Sequence, residues 1–168
     1  MFEILKPTYY VAQLKHVPLV ELKSSGIKGL IIDLDNTITY WNSNDLNQDI
    51  FTWFKELKGI DFKSCLVSNN NHERVSKVAE QLKIPFVSSA GKPFRKAFLK
   101  GMQVLNTKPS ETAVIGDQIF TDVLGGNRSN LLTVLVMPLD QNEFIGTRFM
   151  RQMEKLVLKK ITKHKPLN

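Results

Sequence analysis

Four short stretches carry side chains whose types and spacing could do chemistry. In Leu30-Ile-Ile-Asp-Leu-Asp-Asn-Thr37, Asp33 and Asp35 lie two residues apart. Side chains alternate along an extended chain, so the two carboxylates converge on one side. Two such anions repel, take up a proton or share a cation, and a hard divalent ion such as Mg²⁺ prefers oxygen ligands. A solvated acidic turn would have the same spacing, so the pair alone does not decide between the two readings. Ser68-Asn69 offers a hydroxyl and an amide to a phosphate oxygen, or simply caps a helix. In Gly91-Lys92-Pro93 a lysine precedes a helix start, where it can neutralise anionic oxygens or remain solvated. In Val114-Ile-Gly-Asp-Gln-Ile-Phe-Thr-Asp122, Gly116 allows close backbone approach. Asp117 there could complete a metal site and Asp122 could orient its neighbours, although acidic residues also favour the start of a following helix.

The elements that must position these residues are legible as an alternation. Apolar runs at Gly29 to Leu34, Ser64 to Val67, Pro85 to Val87, Ala113 to Ile115 and Leu131 to Met137 read as strands. Leu46, Ile50, Trp53, Phe54 and Leu57 share a helical face that Ser43 or Asn44 could cap. Val75, Val78, Ala79 and Leu82 define a second helix. Phe94, Ala97, Phe98, Met102 and Leu105 define a third, with Pro93 at its first position. Strand and helix in turn predict an α/β fold, a mainly parallel sheet of about five strands covered by helices on both faces. Ligands bind such sheets at the carboxyl ends of the strands, where all four stretches fall.

With those residues in that order, the chain resembles the haloacid dehalogenase (HAD) superfamily of phosphatases over roughly residues 28 to 137. Its four motifs match Asp33-Leu-Asp-Asn-Thr37, Ser68, Lys92 with Pro93, and Gly116-Asp117 through Asp122, and no motif residue departs from the pattern. The resemblance implies a Rossmann-like sheet and phosphomonoester hydrolysis with Asp33 as nucleophile. Asp35 would be the general acid and base, and an aspartyl-phosphate would form on Asp33. It also implies that Ser68 and Lys92 hold the phosphoryl oxygens, with Asn69 as a second phosphate contact. Mg²⁺ would be bound by Asp33, the backbone carbonyl of Asp35 and Asp117.

The short intervals between motifs leave no room for a substantial cap domain, so an open site is expected, suited to a large or surface-presented phosphate. The whole chain further resembles the YqeG family of HAD subfamily IIIA, related to mitochondrial phosphatidylglycerophosphate phosphatases. Gly26 through Thr37, Ala90-Gly-Lys-Pro93, Gly116 through Asp122 with Gly125-Gly-Asn-Arg128, and Asn142 through Arg151 carry that likeness. It implies an anionic phospholipid, phosphatidylglycerophosphate, as substrate. Polynucleotide end-phosphatase activity, or a non-catalytic RNA- or ribosome-binding module on the same fold, are the alternatives.

The 168 residues carry 42% hydrophobic and 23% charged side chains, ordinary for one globular domain spanning 1–168. The net charge is +7, and residues 141–168 hold seven Lys/Arg against Glu143 and Glu154, a surplus of five. There a helix is expected over 144–161. Phe149, Met150, Met153, Val157 and Ile161 would form its apolar face, and Arg148, Arg151, Lys155 and Lys159 a basic stripe. That helix either packs on the domain with its basic face solvated or contacts an anionic membrane or nucleic acid. The single cysteine, Cys65, reads as a small buried hydrophobe. With Glu3 and Lys6 where a signal peptide would be apolar, a cytoplasmic protein is expected, peripheral to the inner face of the membrane. His16, His72 and His164 are too dispersed for metal-ligand spacing. Trp41 and Trp53 read as packing groups rather than ligand platforms, although Trp41, close after the first motif, could line the site entrance.

Overall fold

A computed structural model describes residues 3–140, 152–154 and 156–158. Eleven strands and α-helices organise residues 3–140: β1 (Tyr9–Val11), α1 (Leu19–Ser24), β2 (Gly29–Ile32), α2 (Gln48–Gly59), β3 (Lys63–Val67), α3 (His72–Leu82), β4 (Phe86–Val87), α4 (Arg95–Leu105), β5 (Thr112–Gly116), α5 (Leu124–Arg128) and β6 (Leu132–Val136). The strands form one six-stranded sheet in the order β1-β6-β5-β2-β3-β4, with every pairing parallel. The sixth strand is the one sequence periodicity misses. β1 is a three-residue edge strand after Pro7 and Thr8, too short to show an alternating pattern, and it is fixed by pairing with Val134 to Val136.

Register is what gathers the site. Ile32 pairs with Leu66 on one side and with Ile115 on the other. The residues that follow, Asp33, Val67-Ser68 and Gly116-Asp117, therefore leave the sheet side by side at its carboxyl edge. Alternation along β2 divides the core between the two faces. Leu30 and Ile32 pack with Trp53, Phe54 and Leu57 of α2 and Val75, Val78 and Leu82 of α3. Ile31 points the other way, with Cys65, Val67 and Val114, onto Ala97, Phe98, Met102 and Leu105 of α4. Each fully buried side chain of this size stabilises the fold by about 1.5–3 kcal/mol. Burial pushes the Cys65 thiol up to about 12, so it packs as a hydrophobe.

Two helix starts differ from the sequence reading. α2 begins at Gln48, capped by Asn47, whose side chain accepts from Ile50 N–H at 3.0 Å. Ser43 and Asn44 are engaged elsewhere: the Ser43 hydroxyl accepts from Asp45 N–H at 3.0 Å, and the Asn44 amide oxygen takes an Arg74 N–H at 2.8 Å. In the third helix Phe94 is the N-cap rather than a core residue, 71% exposed, and Pro93 precedes it. Between β2 and β3, between β3 and β4, and between β4 and β5 the described residues hold one α-helix each and no inserted domain, as expected for a capless site.

Residues 152–154 and 156–158 are helical. Val157 packs against Ile119, Val123 and Leu135 as expected of the apolar face. Met153, by contrast, is 43% exposed, and Glu154 takes the buried position at 4%. The basic stripe at Arg148, Arg151, Lys155 and Lys159, with Phe149, Met150 and Ile161, lies outside the described residues. Among the described residues no helix is long and apolar enough to cross a membrane.

Candidate active site

The site is built on backbone that leaves the sheet under tight control. Asp33 follows β2 directly, and its N–H donates to Ile115 C=O at 2.9 Å, which keeps it in the parallel ladder one residue past the strand. The chain then turns at Asn36, which adopts a left-handed conformation (φ 58°) that asparagine tolerates better than most residues. Asn36 N–H donates to Thr39 C=O at 2.7 Å, and its own carbonyl accepts from Leu139 N–H at 3.0 Å. This brings the chain after β6 against the first motif.

Lys92 is the electrostatic centre. Its ammonium donates to Asp33 Oδ1 and to Asp122 Oδ1, each at 2.6 Å, and the three side chains are only 3%, 9% and 1% exposed. Burial alone would lower the lysine pKa, but the two carboxylates outweigh it and hold the ammonium above its ordinary value. The loop carrying Lys92 is clamped by Asn69. The Asn69 amide oxygen accepts from Lys92 N–H at 2.7 Å, and its NH₂ donates to Lys92 C=O at 3.1 Å. Both ends of the Asn69 amide are thus committed to the Lys92 backbone. Asp122 is held by Gln118 N–H at 3.2 Å and the Thr121 hydroxyl at 3.3 Å. Gly116 makes room for it, since a Cβ there would run into the Asp122 carboxyl group.

Asp35 faces a different partner. Its Oδ1 accepts from Arg74 Nη2 at 2.5 Å and Nε at 3.1 Å, and its Oδ2 accepts from the Asn70 amide at 3.1 Å. Arg74, 8% exposed, also donates to the carbonyls of Ser43 and Tyr40, tying the loop after the first motif to α3. Ser68 is buried, and its hydroxyl accepts from Asn70 N–H at 3.1 Å. Asp117, 2% exposed, accepts from the Thr37 hydroxyl at 3.4 Å.

All seven sequence-predicted residues converge. Asp33, Asp35, Ser68, Asn69 and Lys92 line one open pocket of about 340 Å³, together with Asn36, Trp41, Asn70, Gln118 and Thr121. Carboxylate oxygens of Asp33, Asp117 and Asp122 lie within 4.8 Å of one another, a grouping that can hold a metal ion. Three buried carboxylates against one ammonium leave a surplus of negative charge, and burial, against the pull of Lys92, raises the Asp33 carboxyl from 3.8 to about 6. An all-oxygen donor set with that surplus fits a hard divalent cation. Asn70, Arg74 and Glu154 were not read from the sequence as site residues. Asn70 and Arg74 look there like the cap and exposed first turn of α3, and no spacing rule pairs either with Asp35.

The comparisons with known proteins agree with this geometry. A family profile described as mitochondrial PGP phosphatase matches residues 2–138. The chain belongs to that family. It is also 41% identical over 152 residues to "Probable phosphatase YqeG" of Bacillus subtilis (strain 168), covering 90% of this chain and 88% of that protein. Against "Phosphatidylglycerophosphate phosphatase 1, chloroplastic/mitochondrial" of Arabidopsis thaliana the identity is 26% over 169 residues, covering 94% of this chain and 48% of that protein's length. Among solved structures, the cobalt-bound deoxy-D-mannose-octulosonate 8-phosphate phosphatase YrbI of Haemophilus influenzae superposes with TM-score 0.55 at 17% identity, covering 83% of this chain and 91% of that one. The putative HAD-hydrolase YfnB of Bacillus subtilis, bound to magnesium, superposes with TM-score 0.56 at 13% identity, covering 78% and 98%. These two likenesses show the fold. The chain is a YqeG-like HAD phosphatase, and its open parallel sheet carries the candidate site at the carboxyl edge.

Proposed function

We propose that this phosphatase is a Mg²⁺-dependent phosphomonoester hydrolase that acts through an aspartyl-phosphate on Asp33, with phosphatidylglycerophosphate as its substrate. The observation that carries the chemistry is the buried Lys92 ammonium shared between Asp33 and Asp122 at 2.6 Å each. It holds the Asp33 carboxylate in place and adds a positive charge where phosphoryl oxygens would bind. Asp33 attacks phosphorus as the bond to the ester oxygen breaks, and Asp35 donates a proton to the departing alkoxide. Asp35 then takes a proton from water, which attacks the phosphorus of the acyl phosphate and returns Asp33 and inorganic phosphate. Asp35 would deliver that proton from Oδ2, the oxygen that accepts from the Asn70 amide, while Arg74 holds Oδ1. Ser68 and Lys92 hold non-bridging oxygens. Asn69 acts on phosphate chiefly by fixing the Lys92 loop. Asp33, Asp117 and the carbonyl of Asp35 would hold Mg²⁺, with Asp122 close by; when bound, the ion supplies neutralisation of developing phosphoryl charge.

Two things support the lipid substrate: the family with its phosphatidylglycerophosphate phosphatase relative, and a capless pocket. On this reading the chain works at the inner face of a membrane, and the basic stripe over 144–161 contributes to its attraction there. The test is phosphate release from phosphatidylglycerophosphate in mixed micelles, from soluble sugar and nucleotide monophosphates, and from end-phosphorylated oligonucleotides, each with Mg²⁺ or chelator. Wild type should release phosphate from the lipid fastest and only with the ion. Asp33→Asn should release none. Hydrolysis of oligonucleotide ends with no hydrolysis of the lipid would overturn the substrate assignment.

A further inference from the structure

Exposed apolar side chains lie on loops that follow the carboxyl ends of the strands, the edge at which the pocket opens. Tyr40 (55% exposed) and Trp41 (46%) lie on the loop after the first motif, Phe94 (71%) stands two residues after Lys92, and Met137 (42%) and Leu139 (41%) follow β6. Trp41 lines the pocket itself, and Leu139 is fixed against Asn36, another pocket residue, by its backbone N–H. Single exposed apolar side chains such as Val20 and Ile60 are ordinary on a protein surface. Here five occur on three loops that all leave the carboxyl edge of the sheet, the edge that carries the catalytic pocket. Arg95 and Lys96, both exposed, directly follow Phe94.

We infer that these loops are a docking surface for an anionic phospholipid bilayer, with Tyr40, Trp41, Phe94, Met137 and Leu139 entering the interfacial layer. The inference rests on the lipid reading above and says how the site reaches its substrate. A phosphate attached to a diacyl lipid stays at the headgroup level, so an open pocket must be brought down to it. Amphipathic aromatic rings such as those of Tyr40 and Trp41 favour that level, where apolar bodies and polar tips are both satisfied. Arg95 and Lys96 meet the negative surface potential of the same bilayer. The surface sits on the loops that carry the pocket.

The protein carries its own probe. Of its two tryptophans, Trp53 is buried at 4% and Trp41 is half exposed, so a change in indole emission on binding reports Trp41. The full chain is mixed with phosphatidylcholine vesicles with and without phosphatidylglycerol, all lacking any phosphate monoester. With the anionic lipid the emission should shift to the blue and the protein should co-sediment. The double variant Phe94→Ser, Met137→Ser should partition roughly tenfold more weakly, as expected for withdrawing two apolar side chains from the interface. It should hydrolyse soluble esters at the wild-type rate, which also shows that it is folded. Absence of an emission shift, equal partition of variant and wild type, or equal partition onto neutral and anionic vesicles would overturn the inference. Vesicle binding requires no hydrolysis, so the two readings fail separately. A chain that docks but leaves phosphatidylglycerophosphate intact overturns the substrate alone, and one that hydrolyses it in micelles without docking overturns the surface alone.

Discussion

Asp33→Asn is expected to abolish phosphate release and, without a divalent cation, to make the fold more stable at neutral pH. Burial holds the Asp33 carboxyl at about 6, above its ordinary 3.8. The folded state therefore binds that proton more tightly than the unfolded chain does. Stability is fully present below about 3.8 and is lost as pH rises through about 6. The displacement corresponds to about 3 kcal/mol at neutral pH. Asparagine cannot ionise and escapes this loss, although it also gives up one of the two carboxylates that pair with Lys92; Asp122 remains. At about 2–4 °C per kcal/mol for a chain of this size, a net gain of about half the full amount raises Tm by roughly 3–6 °C at pH 8. The assay is thermal unfolding followed by circular dichroism, in chelator and in excess Mg²⁺, at pH 5 and pH 8. In chelator the advantage of the variant should grow from pH 5 to pH 8. In Mg²⁺ it should shrink, because only the wild type regains stability by neutralising its carboxylates. A variant no more stable than wild type at pH 8 in chelator, or an advantage that does not change with pH, would show that the buried carboxylates are not in surplus and would remove the argument for a cation.

Substitutions at three further positions probe the supports of the site. Arg74→Ala leaves Asp35 without its ion pair and releases the carbonyls of Ser43 and Tyr40. It should cost about 3 kcal/mol in urea unfolding and lower kcat far more than it raises KM. Gly116→Ala drives a methyl group against the Asp122 carboxyl and so displaces Lys92. Activity should fall at least about tenfold, with Tm lowered and far-UV dichroism unchanged. Glu154→Ala removes the carboxylate that accepts from Ile119 N–H at 2.6 Å and Phe120 N–H at 3.2 Å, at the start of the helical turn carrying Asp122. It should cost about 1–3 kcal/mol and weaken Mg²⁺ activation, and Glu154→Gln, which keeps one acceptor, should recover part of both.

What the sequence displayed and what it hid follow from the range of the interactions. Asp33, Ser68, Lys92 and Asp117 were legible because each ends or closely follows an apolar run, and a parallel sheet in register brings strand ends to one edge without further instruction. Arg74 and Asn70 were not, because their pairing with Asp35 spans 39 and 35 residues and depends on how α3 sits on the sheet. The same distance effect hid the burial of Glu154 in place of Met153. Helical periodicity at Met153 and Val157 suggested a simple apolar face, but the N–H groups at Ile119 and Phe120 needed an acceptor, and Glu154 is buried to supply it. β1 was missed for a different reason: three residues cannot declare a period, and only Val134 to Val136 make them a strand.

The clamp on Lys92 also bears on selectivity. Asp33 and Asp122 hold its ammonium and Asn69 holds its backbone, so on the proposed function the phosphate position is rigid whatever ester is presented. The described residues provide no inserted domain to enclose the alcohol half of a substrate. An enzyme discriminates only through groups that contact the features by which substrates differ. Here the pocket contacts what all phosphomonoesters share, and the exposed loops carrying Trp41, Phe94 and Leu139 face whatever lies outside it. On the proposed function, discrimination comes from the surface on which the phosphate is presented, and a soluble ester, however well its phosphate fits, engages only half of the recognition.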